Sequence, residues 1–447
     1  METRKIGEGR FAFESRGCYF AAQTFPFEIL ELDVETLDSA AEEASHIEWE
    51  PLGQDYAYDG FGALELILTT GCNLRCRHCY ALYEQDRNLF GLPARQLDLS
   101  TAKRAIDFTI GEFAAEIVSS GVEGASFELF LFGGEPLLNW GVGRESFLYL
   151  ESRLRQLEQE TGVRITCGTQ VVTNGTLITP EIAAFIAEKQ LEATVSLDSP
   201  FNPMRFFALD QSSATLAAVS GLKLLLAAGA KKVNINMVVP ANCVDRIDDI
   251  FGYFASLGVL EGITTVTMSP QAPPIRAPEG LYTDTTAYDE AKCATFAAKL
   301  IEYAVKLGLD MKFYRRKMRS LLSQGGVAYR CPGALWKWCV DPGGDAYPCY
   351  QLLGVERFKM GNVADRNLAE SMAAVRREFA ERTVFKANPC SDCLLQTLCM
   401  PFVDCPARCY IERGNLYDVP SHYCLAHRPY LEFLFEEFLW EQIGASG

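Results

Sequence analysis

Six alternations of strand and helix between positions 64 and 308 predict an α/β fold with a parallel sheet, either a partial barrel or an open doubly wound sheet. Two more observations complete the outline. A short alternating stretch precedes residue 60, and a cysteine-rich stretch with weak periodicity follows residue 331. The chain divides on this reading into a small β-rich lobe (1–61), an α/β core (62–310), a cysteine-rich domain (311–426) and a C-terminal helix (427–447).

Each element has its own signal. In the lobe, residues 11–21 alternate around a turn at Ser15-Arg16-Gly17, 25–34 supply another strand, and 35–44 read as a short acidic helix. In the core, strands are expected at 64–69, 126–132, 163–172, 193–197, 233–239 and 264–268. Helices are expected at 99–118, 146–160, 180–189, 213–228, 244–257 and 287–308, with Ser100 as the N-cap of the first. Residues 312–319 are basic and read as a solvated helix face. The tail, 427–443, is an aromatic-rich amphipathic helix expected to dock on the body.

Composition excludes some functions. Lys plus Arg number 41 against 58 Asp plus Glu, a net charge of −17. Such a surface argues against nucleic acid, whose binding needs basic residues to neutralise phosphates. The first ten residues lack the apolar core of a signal peptide, and no run of eighteen apolar residues occurs, so neither membrane nor export is expected. The expected compartment is the cytoplasm. There, sixteen cysteines do not make a disulfide framework. Three crowd into 72–79 and nine fall between 331 and 424, which reads as metal or cluster ligation. Cys18, Cys167, Cys243 and Cys293 stand apart and read as small buried hydrophobes.

The first strand runs into Cys72, Cys76 and Cys79, followed by Tyr80. A CxxxCxxC loop can wrap three thiolates around three irons of a cubane and leave the fourth iron open. A zinc knuckle would want four ligands, usually as CxxC pairs. Gly133-Gly134-Glu135-Pro136 follows the second strand, Thr173-Asn174-Gly175-Thr176 ends the third and Ser196-Leu197-Asp198 the fourth. These strand ends are where parallel α/β folds place their sites.

With these motifs the chain resembles the radical S-adenosylmethionine superfamily. The resemblance implies a partial (β/α)6 barrel that binds a 4Fe–4S cluster on Cys72, Cys76 and Cys79 and S-adenosyl-L-methionine on the open iron. It implies that Gly133 and Gly134 let the backbone approach the cosubstrate and that Glu135 binds its ammonium. Thr173, Asn174, Ser196 and Asp198 would lie along the ribose, and Arg205 would reach the carboxylate. Tyr80 falls among the same contacts. The chain has Asp198-Ser199-Pro200 where the family often has Asp-Gly-Pro. One electron from the reduced cluster would cleave the cosubstrate and give a 5′-deoxyadenosyl radical that abstracts hydrogen from substrate.

The C-terminal cysteines resemble a SPASM extension, which implies two auxiliary 4Fe–4S clusters and hence three in all. One would use Cys331, Cys349 and Cys405, the other Cys390, Cys393, Cys399 and Cys424. The fourth ligand of the first is left as Cys339, Cys409 or an iron open to a substrate thiol. Between Cys399 and Cys405 lie five residues, where the usual pattern has three. SPASM enzymes mostly modify peptides or proteins. The expected function is therefore maturation of a ribosomally made precursor peptide, with thioether formation as the leading reaction. Closing a carbon–sulfur bond needs loss of a thiol proton and one further electron, which an auxiliary cluster can accept. Alternatives are an anaerobic sulfatase-maturing, formylglycine-forming oxidase, a carbon–carbon cross-linking maturase, and a non-catalytic iron–sulfur electron carrier. An external reductant such as flavodoxin or ferredoxin is implied, and the N-terminal lobe is a candidate for a reduced leader-peptide recognition domain.

Overall fold

The structure, a computed structural model, describes residues 1–24, 27–48, 60–83, 88–89, 92–201, 204–271, 288–307, 331–399 and 405–446. The basic stretch 312–319 lies outside the described residues. The chain forms two compact units: 1–56 with 288–331 and 380–447, and 57–287 with 332–379.

In the second unit, β5 (Phe61–Thr69), β8 (Gly124–Gly133), β9 (Arg164–Thr173), β10 (Glu192–Ser196), β11 (Val233–Val239) and β12 (Thr265–Pro270) pair in parallel in chain order. Two short strands, β6 (Leu82–Tyr83) and β7 (Asn88–Leu89), pair with each other after the cysteine loop. The unreversed order decides between the two expected architectures. A doubly wound sheet reverses its order at a switch point, whereas a barrel winds in one direction. The fold class is the partial (β/α)6 barrel, with a C-terminal Cys-rich region and a small β-rich N-terminal lobe. In β8 and β11 burial follows the strand period of two, whereas β5 is buried on both faces. Leu64, Leu66, Leu68, Phe127, Leu129, Leu131, Ala193, Val195, Val233, Ile235 and Met237 are buried on one face. The opposite face carries Glu65, Phe130, Gln170, Glu192, Thr194 and Asn234.

The helices α2 (Leu99–Ser120), α3 (Trp140–Thr161), α4 (Pro180–Glu188), α5 (Thr215–Ala227) and α6 (Ile247–Ser256) link these strands, close to the expected positions. One cap differs. The N-cap of α2 is Asp98, whose carboxylate accepts from the Thr101 N–H at 2.9 Å and the Ser100 hydroxyl at 2.5 Å. Ser100 already lies inside the helix and serves the cap instead of forming it. Beyond the expected six strands, β13 (Lys337–Val340) joins the outer side of β5 in parallel, and β14 (Asp345–Tyr347) and β15 (Gly361–Asn362) continue antiparallel. The region after 331 is thus more regular than its sequence suggests, with helices at Leu368–Glu381 and Pro406–Arg413.

The first unit holds a four-stranded antiparallel sheet, β1 (Glu2–Gly7), β2 (Arg10–Ser15), β3 (Cys18–Thr24) and β4 (Phe27–Leu32). Residues 2–7 add an edge strand beyond those expected. The turn between β2 and β3 is Arg16-Gly17, as expected. One face of the sheet takes Ala40, Ala41 and Ala44 of α1 (Leu37–Ser45) against Ala12 and Ala21. The other takes the C-terminal helix Ser421–Ser446: Phe13 and Phe27 lie 5.9 Å and 5.8 Å from Phe435, and Phe20 lies 6.4 Å from Trp440. That helix starts earlier than expected, so Cys424 sits in its first turn. It also packs on α7 (Glu290–Leu307).

Candidate active site

The three-cysteine loop leaves the C-terminal end of β5 and is fastened on two sides. On one, the Gly134 N–H donates to the Thr69 carbonyl at 2.9 Å and the Glu135 N–H to the Gly71 carbonyl at 3.0 Å. Gly133 makes this approach: its φ is +142°, and a Cβ there would lie 2.4 Å from the Thr69 oxygen. On the other side, segment 204–208 runs against the loop. The Arg75 and Arg77 N–H groups donate to Phe206 and Met204 carbonyls at 2.8 Å each, and the Ala208 N–H to Asn73 at 2.9 Å.

Glu135 is fully buried. Its carboxylate accepts from the Thr173 hydroxyl at 2.7 Å and from the N–H groups of Asn174 at 2.8 Å and Leu137 at 3.0 Å. Burial pushes it up to about 7, with these donors acting in the opposite direction. The predicted trio Glu135, Thr173 and Asn174 is therefore brought together, at adjacent strand ends. Asn174 also donates to Asn73 at 2.9 Å, and Asn73 to the Thr176 hydroxyl at 2.9 Å. Ser196 ends β10, half-buried and opposite Asn236.

Asp198 and Arg205 form a buried pair, Oδ2 to Nε at 2.7 Å, and Asp198 also accepts from the Val238 N–H at 3.1 Å. Burial alone would raise Asp198, but Arg205 and His78 outweigh it and hold it below its usual value. His78 lies 3.3 Å from the same carboxylate, and burial pushes it down to about 4 against the pull of that carboxylate. Arg205 therefore does not stand alone over a ligand carboxylate. It links Asp198 to Cys76, whose sulfur is 3.8 Å from Nη1.

These surroundings fit an iron–sulfur cluster. Burial pushes the Cys72 and Cys76 thiols up to about 12, with neighbouring thiols adding to the effect. Bare thiolates would be costly there, and a cationic metal group would hold them ionised. Donors already point at sulfur: the Leu74 N–H at 3.3 Å and Asn174 Nδ2 at 3.9 Å from Cys72, besides Arg205 at Cys76.

The other predicted ligands divide between the units. Cys339 and Cys349 belong to the second; Cys331, Cys390, Cys393, Cys399, Cys405 and Cys424 belong to the first. Cys390 and Cys393 share a tight turn, closed by the Cys393 N–H on the Cys390 carbonyl at 3.0 Å. Cys339 is fully buried among Ile67, Ala81, Tyr347 and Leu353. Cys409 is buried with Ala387 and Val419 and packs against Cys390. Of the isolated cysteines, Cys243 and Cys293 are buried as expected, but Cys18 is half-buried and Cys167 exposed. Sequence reasoning missed Glu65, although it is the one charge in the apolar strand β5. It also missed Gly221 of α5, where a Cβ would lie 2.0 Å from the Gly175 carbonyl oxygen.

Residues 66–254, from β5 through α6, match the Radical SAM superfamily. The chain carries a Radical SAM domain. Among curated relatives, the Radical SAM cyclopropyl synthase TigE of Paramaledivibacter caminithermalis is 26% identical over 43% of this chain, a match spanning 37% of TigE. The cysteine-type anaerobic sulfatase-maturating enzyme of Clostridium perfringens strain 13 is 22% identical over 83% of this chain and 95% of its own length. Among solved structures, native anSMEcpe with bound AdoMet superposes with TM-score 0.62 at 18% identity, covering 84% of this chain and 98% of that one. Streptococcus suis SuiB bound to precursor peptide SuiA gives 0.50 at 16% identity, covering 94% and 99%. These likenesses extend the shared fold well beyond the Radical SAM domain, into the C-terminal cysteine-rich region. Among the described residues, no helix is long and apolar enough to cross a membrane.

Proposed function

We propose that this Radical SAM enzyme modifies a ribosomally made precursor peptide, and that it does so by closing a thioether. The observation that carries the reading is the Gly133–Glu135 edge, fastened to Thr69 and Gly71 beside three cysteines, Cys76 buried and Cys72 and Cys79 half-buried. A mere electron carrier has no use for such an edge. When bound, the cluster and S-adenosylmethionine supply the radical that removes hydrogen from an unactivated carbon. The chain's own part is to hold and orient. Cys72, Cys76 and Cys79 ligate, Glu135 with Thr173 and Asn174 receives the cosubstrate ammonium, and Ser196 meets the ribose. Arg205, held by Asp198, stays cationic beside Cys76.

The C-terminal cysteines are read as two auxiliary 4Fe–4S sites with the ligand sets given above, and flavodoxin or ferredoxin as the reductant. The partition 1–61, 62–310, 311–426 and 427–447 is kept as a functional scheme, although β13–β15 extend the barrel sheet. For the N-terminal lobe, a leader-peptide role would fall to the sheet edges, since both faces carry helices. The clustered thiols and acidic composition suit a cytoplasmic enzyme.

A second reading, formylglycine formation on a protein substrate, is favoured by the length of the sulfatase-maturating match. One experiment separates the readings: co-expression with candidate peptides, followed by mass spectrometry and thiol alkylation. A thioether product is lighter by about 2 Da and has one fewer alkylatable cysteine. A carbon–carbon link loses the same mass but leaves every thiol reactive, and formylglycine from cysteine loses sulfur and gains oxygen. All thiols reactive in a product lighter by two hydrogens would end the thioether reading. Cys76→Ala should abolish 5′-deoxyadenosine release; release at the native rate would end the radical reading itself.

A further inference from the structure

Strand β5 reads FGALELILT, and its single charge, Glu65, is only 1% exposed. A buried carboxylate in a barrel strand is no stabiliser compared with an apolar residue of similar volume. Its partners suggest what else it does. One oxygen takes Lys337 Nζ at 2.7 Å, and the other accepts the Tyr350 backbone N–H at 2.7 Å. Lys337 begins β13, the strand that pairs with β5 and sets Cys339 opposite Glu65. Tyr350 directly follows Cys349. Its ring lies 4.6 Å from Phe132, next to Gly133, and 5.6 Å edge-on from Tyr80, next to Cys79. All these residues belong to the second unit. The strand that feeds the first cysteine loop thus also grips the loop of a cysteine some 270 residues later.

We propose that Glu65 is a positioning residue that sets the offset between the Cys72–Cys79 loop and the Cys349 loop. Lys337 fixes the carboxylate, the carboxylate fixes the Tyr350 backbone, and the Tyr350 ring is a spacer between Tyr80 and Phe132. The claim rests on the reading of Cys349 as a ligand of an auxiliary cluster. It needs no electron or proton transfer of its own.

The test uses reconstituted enzyme and two readouts besides activity. The first is hydrogen exchange at the Tyr350 amide. Glu65→Ala should speed it about tenfold or more while amides of β8 and β9 stay protected. Glu65→Gln should restore most of the protection, because its amide oxygen can still accept that N–H. The second is pulsed EPR of the reduced enzyme, in which relaxation coupling between the first cluster and its auxiliary neighbour reports their separation. Glu65→Ala and Tyr350→Leu should both change the coupling, and only Glu65→Ala should change the exchange. If Glu65→Ala does not fold, Lys337→Met should show the same two changes in smaller measure. Unchanged Tyr350 exchange, or a coupling identical to native in the variants, would overturn the proposal. Cys349→Ala tests the underlying reading separately. Loss of about four irons supports it, whereas full iron content removes Cys349 as a ligand and with it the cluster half of the claim.

Discussion

At the scale of single residues, Glu135 combines two opposed demands. In its proposed role it must be ionised to hold a cationic cosubstrate group, yet burial pushes its carboxyl up to about 7. Between its ordinary value near 4.5 and 7 the folded chain holds a proton that the unfolded chain has lost. Its contribution to stability therefore falls as pH rises through that window. Binding has the reverse sign, because the ligand selects the ionised form. Affinity for S-adenosylmethionine should rise between about pH 6 and about pH 8, and Glu135→Gln should weaken binding and flatten the slope. Equilibrium dialysis across that range checks this; a flat native profile would remove Glu135 from the ammonium contact. Asp198 poses the opposite case. Its carboxylate holds Arg205, whose side chain is only 14% exposed. Asp198→Ala strands that cation, and unfolding in urea should show a loss of about 3 kcal/mol or more. A loss under about 1 kcal/mol would mean that solvent or the cysteine sulfurs compensate Arg205 without it. The motif residues were legible because they are contiguous in sequence, whereas the pairing of Asp198 with Arg205 and His78 was not. The resemblance implies ligand contacts for Asp198 and Arg205, and the fold also pairs these two side chains with each other.

At the scale of elements, strand and helix positions in the core were legible from periodicity, and errors gathered at ends. Ser100 and Asp98 are both good N-cap types, and only the backbone shows which precedes the first turn. Gly221 is a sharper case. In the interior of α5 a glycine costs about 1 kcal/mol relative to alanine, so propensity alone favours Gly221→Ala. The carbonyl of Gly175 stands 2.0 Å from the added methyl position, and a backbone atom at a strand end cannot move aside cheaply. The clash should win, giving a net loss of about 1–3 kcal/mol by urea denaturation. Stabilisation by the variant would show that α5 shifts freely over the Thr173–Thr176 turn.

At the scale of the molecule, the proposed ligand sets imply a metal load. Three 4Fe–4S clusters amount to about twelve irons per chain after anaerobic reconstitution, and the Cys72, Cys76 and Cys79 triple alanine variant should retain about eight. Iron and sulfide assays check both figures. Zinc in place of iron after iron-replete anaerobic purification would overturn the auxiliary assignment. Cys409 is the open point in that count. It is one of the alternatives for the fourth ligand of the first auxiliary site, and the fold sets it against Cys390.

The sequence by itself determined the βα alternation, the three-cysteine loop, the strand-end motifs and the abundance of C-terminal thiols. Each is a local property, written in the period of apolar residues or in contiguous residues with one chemical use. Only the tertiary structure decided what those faces meet. Glu65 grips Tyr350 across 285 residues, and Gln396 donates to the Thr24 hydroxyl across 372. The N-terminal sheet closes between α1 and the last helix of the chain. Apolar periodicity reports that a face will be buried, since that follows from each residue's own transfer from water. It does not report which distant surface will bury it, because that depends on the shape and polar partners of both surfaces at once.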